Sequence, residues 1–336
     1  MLFSQREETT ERKSTQKPLF YHLNSNQTMN RKAFIRNSVV AGGSIIAPTL
    51  AQARWGNDKN SLGNENKFHC NYAPHDGMFK NNAGDDFLDQ IKFAYDNGFR
   101  AIEDNNMMQR PVEQQKKIGD MLEKLGMSMG VFVITSDNWH WKTSLATGRQ
   151  EWIDRMIKDC NEAVEVAKRC HAKWMTVVPG NFERSLSHEY QTINVINALI
   201  KAADILQPHG LVMVLEPLSD NPDLFLRHSD QAYMICKAVG SSACKILFDI
   251  YHMQRNEGDL IMNIDRNWDE IAYVQIGDNP GRKEPSTGEI NYKNIFKHLY
   301  NKGYRGVLGM EHGNSLAGKD GEVAVIKAYR EADNFL

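Results

Sequence analysis

Four short apolar runs in the second half of the chain each end on a side chain that carries oxygen. They are Val212-Met213-Val214-Leu215-Glu216, Ile246-Leu247-Phe248-Asp249, Tyr273-Val274-Gln275 and Val307-Leu308-Gly309-Met310-Glu311. Runs of this length and composition read as buried β-strands, which places Glu216, Asp249, Gln275 and Glu311 at strand ends. Three carboxylates and one amide carbonyl form an oxygen-rich donor set that suits a hard divalent cation, Mg²⁺ or Mn²⁺. Without a cation, three carboxylates converging on a dry cavity would repel one another and take up protons. A single acid at a strand end is commonly a solvated or helix-capping residue. The inference rests on four such residues in register. No cluster rich in Cys and His accompanies them, so a tetrahedral zinc site is not expected.

The elements that must position these residues recur from Lys67 onward as an apolar run, a polar loop and a longer stretch with helical spacing. Eight runs are predicted as strands: Phe68–Ala73, Arg100–Glu103, Ser128–Ile134, Trp174–Val178, Val212–Glu216, Ile246–Asp249, Tyr273–Ile276 and Val307–Glu311. Ile153, Met156, Ile157, Cys160, Ala163, Val164 and Ala167 show the i, i+3, i+4 spacing of a helix between two of them. Helices ending at Gly98, Gly126, Gly210 and Gly303 fit a left-handed residue just past the last turn. Strands alternating with single helices imply a parallel sheet with right-handed crossovers. Eight units predict a closed (β/α)₈ TIM barrel, with its active site at the C-terminal ends of the strands. No Gly-x-Gly-x-x-Gly follows any strand, so no nucleotide cofactor is expected.

Composition bounds the remaining classes. The 336 residues carry 40 Lys+Arg against 42 Asp+Glu, a formal charge of −2, which speaks against a nucleic-acid-binding surface. A hydrophobic content of 41% is enough for a large core. No run reaches the roughly 18–20 apolar residues of a membrane span. The five cysteines contain no C-x-x-C pair and read as buried thiols. Residues 1–28 are polar and without period. From Met29 a basic stretch with Arg31-Lys32, a small apolar stretch (Ser38–Ala47) and Ala51-Gln52-Ala53 follow in the order of an export signal. The expected organisation is therefore a leader over 1–53 and a single barrel domain over 54–336. The destination is export, to a periplasmic space by a twin-arginine-like or general secretory route, with the cytoplasm as the alternative.

At these residues the chain resembles the hydroxypyruvate isomerase family, within the xylose isomerase-like TIM barrel superfamily. The stretches that carry the resemblance include Asn71-Tyr72-Ala73-Pro74-His75, Gly98-Phe99-Arg100-Ala101-Ile102-Glu103-Asp104-Asn105, Met213–Leu218 and Ile246–His252. The most specific is Gln275-Ile276-Gly277-Asp278-Asn279-Pro280-Gly281-Arg282-Lys283-Glu284-Pro285, and Gly309-Met310-Glu311-His312-Gly313 closes the set. Glutamine at the seventh strand, where many sugar epimerases of the superfamily carry histidine, resembles the hydroxypyruvate isomerase branch.

The resemblance implies aldose–ketose isomerisation, hydroxypyruvate to and from 2-hydroxy-3-oxopropanoate. A divalent cation would stabilise the enediolate while Glu216 and Glu311 remove and return protons, each also a metal ligand. Asp249 and Gln275 complete the implied metal set. His252 is a candidate hydrogen-bond partner for a substrate oxygen, and Arg282 a candidate fork for the substrate carboxylate. His312 should face away from Glu311 by strand alternation. Glu103 ends the second strand without an assigned role, and Trp139, His140 and Trp141 lie in a loop predicted as lid or pocket wall. The partner is a small hydroxy-carbonyl acid or sugar, and a homo-oligomer is admitted. The alternatives are a ketose 3-epimerase or inositol-derivative isomerase on the same scaffold, an apurinic endonuclease of related fold, and an exported non-catalytic sugar-acid binding protein.

Overall fold

The computed structural model describes residues 67–134 and 144–336. The export segment at 29–53 and the aromatic loop residues 139–141 lie outside them. Among the described residues nine short strands are all parallel: β1 Asn71–Ala73, β2 Ala101–Ile102, β3 Ser128–Met129, β4 Phe132–Val133, β5 Trp174–Val177, β6 Val212–Leu215, β7 Cys244–Asp249, β8 Ile271–Gln275 and β9 Val307–Gly309. Seven pair in the order β1-β9-β8-β7-β6-β5-β4, and β2 pairs with β3. β3 and β4 are two halves of one stave, interrupted at Gly130-Val131. There Gly130 N donates to Ile102 O at 2.6 Å and Asp104 N to Val131 O at 3.2 Å. A parallel bridge between His75 and Glu103 joins the continuations of β1 and β2. Nine strands thus make eight staves, and the ring closes as the TIM barrel predicted from the alternation of elements.

The crossover helices bury the faces that their spacing dictates. The helix Gln150–Cys170 buries Ile153, Met156, Cys160, Ala163, Val164 and Ala167. Gly126 and Gly210, both with left-handed φ (62° and 68°), end their helices as predicted. Two apolar cores result. A large one lies between staves and helices and includes Phe132, Met213, Ile246, Phe248, Val274, Phe296 and Leu308. A small one fills the lumen with Ala73, Ala101, Val131, Val214, Leu247, Tyr273 and Val307. Four of the five cysteines are buried, and Cys70 is half-buried. Among the described residues no helix is long and apolar enough to cross a membrane.

Closure of the ring draws on the last helix, Gly318–Asp333. The buried carboxylate of Asp333 accepts from His69 N at 2.6 Å, Cys70 N at 3.2 Å and the Tyr72 hydroxyl at 2.9 Å, tying the last helix to the first strand. His312, which follows Glu311, turns outward as alternation requires and meets the Tyr329 hydroxyl of the same helix at 2.8 Å. Replacing Asp333 by Ala leaves three donors unpaired near the barrel seam, at roughly 1–3 kcal/mol for each buried group left without a partner. The expected outcome is a loss of several kcal/mol in urea unfolding. A loss below about 1 kcal/mol would show that the seam does not depend on this carboxylate.

Candidate active site

The strand ends bring together what the sequence predicted. Ligand-capable atoms of Glu216, Asp249, His252 and Glu311 all lie within 4.8 Å of one another. Glu216 follows β6, Asp249 ends β7, and Glu311 lies two residues past β9, so alternation turns all three into the mouth. Gln275, at the end of β8, is opposite Asp249 in register and opposite Gly309 on the other side. Its Oε1 is buried without a hydrogen-bond partner.

Asp249 does two things at once. Its Oδ1 caps the short helix Ile250–Asn256, accepting from Tyr251 N at 2.8 Å and His252 N at 3.4 Å. Its Oδ2 faces the cluster and meets the Arg282 guanidinium at 2.9 Å. The helix it starts carries His252 into the same space, with Nε2 at 3.5 Å from Asp249 Oδ2 and 3.8 Å from Glu216 Oε1. The tautomer of His252 follows from its other nitrogen. Nδ1 lies 3.2 Å from the backbone N of Ser219, a group that can only donate. Burial lowers the pKa of His252, so the ring is neutral and the proton sits on Nε2. His252 is therefore placed as a hydrogen-bond donor. The oxygen atoms of the carboxylates and of Gln275 are the ones free to hold a cation.

Arg282 stands where the sequence reading wanted a clamp, but its visible partners are protein carboxylates. Nη2 meets Glu311 Oε2 at 2.6 Å as well as Asp249, and Nε donates to the Glu311 carbonyl at 3.1 Å. Nη1 has no hydrogen-bond partner among the described residues. The loop that carries it is fixed by Asp278, which accepts from Gly288 N and Ile290 N at 2.9 and 3.0 Å.

Three neighbours were not assigned a role from the sequence. The amide of Asn105 donates to Glu311 Oε1 at 2.8 Å, and its own Oδ1 is buried and unpartnered. Glu103 is fully buried and accepts from the Tyr273 hydroxyl at 3.0 Å and from Gln275 Nε2 at 3.4 Å. With His75 they border a cavity of about 190 Å³ that reaches Glu311. The signal was the alternation Ala101, Glu103, Asn105, which puts the last two on the luminal face beyond a short strand.

Electrostatics agree with the prediction that acids crowded without a cation take up protons. Burial, then the nearby Glu311 and Asp249, push Glu216 well above the usual carboxylate range. Burial raises Glu311 too, although Arg282 opposes it. Burial and Glu311 raise Glu103, while the hydrogen bonds it accepts from Tyr273 and Gln275 oppose the shift and favour its ionised form.

The fold and site define a TIM barrel with an acidic mouth at the C-terminal ends of its strands. The chain belongs to the xylose isomerase-like TIM barrel family, whose model matches residues 91–331. It is similar to a hydroxypyruvate isomerase of Escherichia coli (strain K12), 30% identical over 232 residues, covering 68% of this chain and 88% of that one. It is similar also to a 2-oxo-tetronate isomerase of Cupriavidus necator, 29% identical over 249 residues, covering 72% and 93%. Among solved structures, one titled AP endonuclease, family 2, from Brucella melitensis shares the fold with a TM-score of 0.66 at 24% identity, covering 75% of this chain and 96% of that one.

The raised pKa of Glu216 makes a signed prediction for the metal-free protein. The folded state holds a proton that the unfolded chain releases near the ordinary value, so this group's contribution to stability falls as pH rises toward the folded pKa. Glu216→Gln removes that loss. In chelator-treated samples the stability of the variant relative to wild type should therefore rise as the pH climbs above the ordinary carboxylate range. A pH-independent difference in melting temperature would show that Glu216 ionises normally.

Proposed function

We propose that the chain is a divalent-metal-dependent aldose–ketose isomerase of a short hydroxylated 2-oxo acid, with hydroxypyruvate to and from 2-hydroxy-3-oxopropanoate as its reaction. The observation that carries the reading is the convergence of Glu216, Asp249, His252 and Glu311 within 4.8 Å at neighbouring strand ends. Similarity to the two isomerases named above supports the reaction class.

The residues fit a cation. Three crowded carboxylates and a buried amide oxygen without a partner are a donor set that lacks only positive charge. Glu216, Asp249, Gln275 and Glu311 would hold Mg²⁺ or Mn²⁺. When bound, the ion supplies charge that stabilises the oxygens on which negative charge develops.

The protein's own groups do the rest. One of Glu216 and Glu311 removes the C–H proton beside the carbonyl, and the other delivers a proton to the neighbouring carbon. The hydroxyl proton passes to the former carbonyl oxygen, so the carbonyl moves by one carbon with no net change in atoms. His252 donates from Nε2 to a substrate oxygen. Arg282 offers its unpartnered Nη1 edge to the substrate carboxylate, and Asn105 holds Glu311 in place. The leader over 1–53, export and a homo-oligomeric assembly of the 54–336 barrel are proposed on the sequence alone.

The test is a substrate panel followed by NMR in D₂O, with hydroxypyruvate, small ketoses and inososes. Deuterium entering hydroxypyruvate at C3 supports the reading. Wash-in at C3 of a ketose, without carbonyl migration, would replace it by epimerisation. In metal-replete samples Glu216→Gln and Glu311→Gln should each lose about 10²–10⁴ in kcat, the scale of a positioned acid–base group. Near-wild-type turnover in either would remove that residue from proton transfer.

A further inference from the structure

We propose that Glu103 is a positioning residue that fixes which end of the Gln275 amide faces the metal site. The proposal rests on the reading of Gln275 as a ligand to a divalent cation. A primary amide has two ends of nearly equal shape, one accepting and one donating. Only the oxygen can bind a cation, and a flipped amide would turn two N–H donors toward it. Something beside Gln275 has to break that tie.

The Glu103 carboxylate is placed to do so. Its Oε2 lies 3.4 Å from Gln275 Nε2 and 3.0 Å from the Tyr273 hydroxyl, both donors. With the nitrogen engaged there, Oε1 of Gln275 is left buried and unpartnered, the state of a ligand atom before its ion arrives. Glu103 itself stands outside the group of atoms that lie within 4.8 Å of one another, so it acts through Gln275 rather than on the cation.

The barrel gives up lumen packing to seat this carboxylate. A Cβ on Gly309 would lie 2.0 Å from Glu103 Oε2 and 3.0 Å from Gln275 Cγ. One on Gly130 would lie 2.4 Å from the Tyr273 hydroxyl oxygen and 3.0 Å from Glu103 Cβ. Staves on both sides thus carry glycine at the level where such barrels are usually filled by bulky branched side chains. Burying a carboxylate is costly, and two cleared positions with two donors make a built seat.

Mn²⁺ titration by calorimetry tests this on the full chain, with melting temperatures taken as a check that each variant folds. Groups beside a metal ligand that orient it typically contribute about 10–100-fold in metal affinity. Glu103→Gln, which keeps the shape but no longer demands a donor, should weaken Mn²⁺ by that factor. Glu103→Asp keeps the charge but withdraws the oxygen, and should weaken it too. In a Gln275→Glu background both ends of residue 275 are oxygens, so adding Glu103→Gln should weaken affinity by less than about threefold, and relief of the two paired acids acts in the opposite direction. Tyr273→Phe, which leaves the Gln275 contact intact, should stay within the same limit.

Wild-type affinity in a folded Glu103→Gln protein would overturn the proposal. So would an equal loss from Glu103→Gln in both backgrounds, since that would mark Glu103 as a general electrostatic or packing group. Absence of Mn²⁺ binding by the wild type is a separate outcome. It would overturn the metal reading itself, and this inference with it.

Discussion

Everything at the mouth of this barrel depends on the cost of holding like charges close together out of water. Glu216, Asp249 and Glu311 crowd one small space, and Glu103 lies buried just behind them. Coulomb repulsion between carboxylates a few ångströms apart is large in such surroundings, and desolvation adds to it. The chain supplies one visible counter-charge, the Arg282 guanidinium bridging Asp249 and Glu311. Raised carboxyl pKa values show that one arginine is not enough. On the proposed reading, a cation relieves that electrostatic stress.

That stress explains features of the scaffold that otherwise look unrelated. Asp249 caps a helix with one oxygen, so its other oxygen cannot swing away from the cluster. Asp278 accepts two backbone donors and thereby carries Arg282 to its place over the Tyr251 ring, 4.9 Å from the centroid. Asp333 anchors the seam between first strand and last helix, which keeps β1 beside β9 and the ring closed.

Much of this was legible in the amino-acid order, and the reasons are physical. Parallel strands buried on both faces read as continuous apolar runs, so most staves stood out, and the second, Arg100–Glu103, was placed by the repeat of strand and helix around it. The acids of the rim were visible because each directly follows such a run. Glu103 and Asn105 were harder to read because β2 is only two residues long and gives no run to anchor the alternation. The interruption at Gly130-Val131 had no signal beyond a glycine, and its meaning lies in a contact with Tyr273, more than a hundred residues away. The partners of Arg282 were not legible either, since a loop after one strand meets acids from two others only through the tertiary fold. The direction of His252 Nε2 needed the Ser219 backbone, which no spacing rule brings near it.

Glutamine at the fourth position follows from the same electrostatic constraint. On the proposed reading, and leaving aside Glu103 behind them, three carboxylates balance a divalent cation and one guanidinium. A fourth carboxylate in place of Gln275 would leave one net negative charge where an anionic substrate has to enter. It would also face Glu103 across the 3.4 Å contact, pairing two buried acids. A neutral amide gives the ion an oxygen without adding charge, and its nitrogen satisfies the acid behind it. The choice of amide therefore fits a substrate that brings a carboxylate of its own. An uncharged sugar would place no such limit on that position, so the amide accords with the small acid of the proposed function.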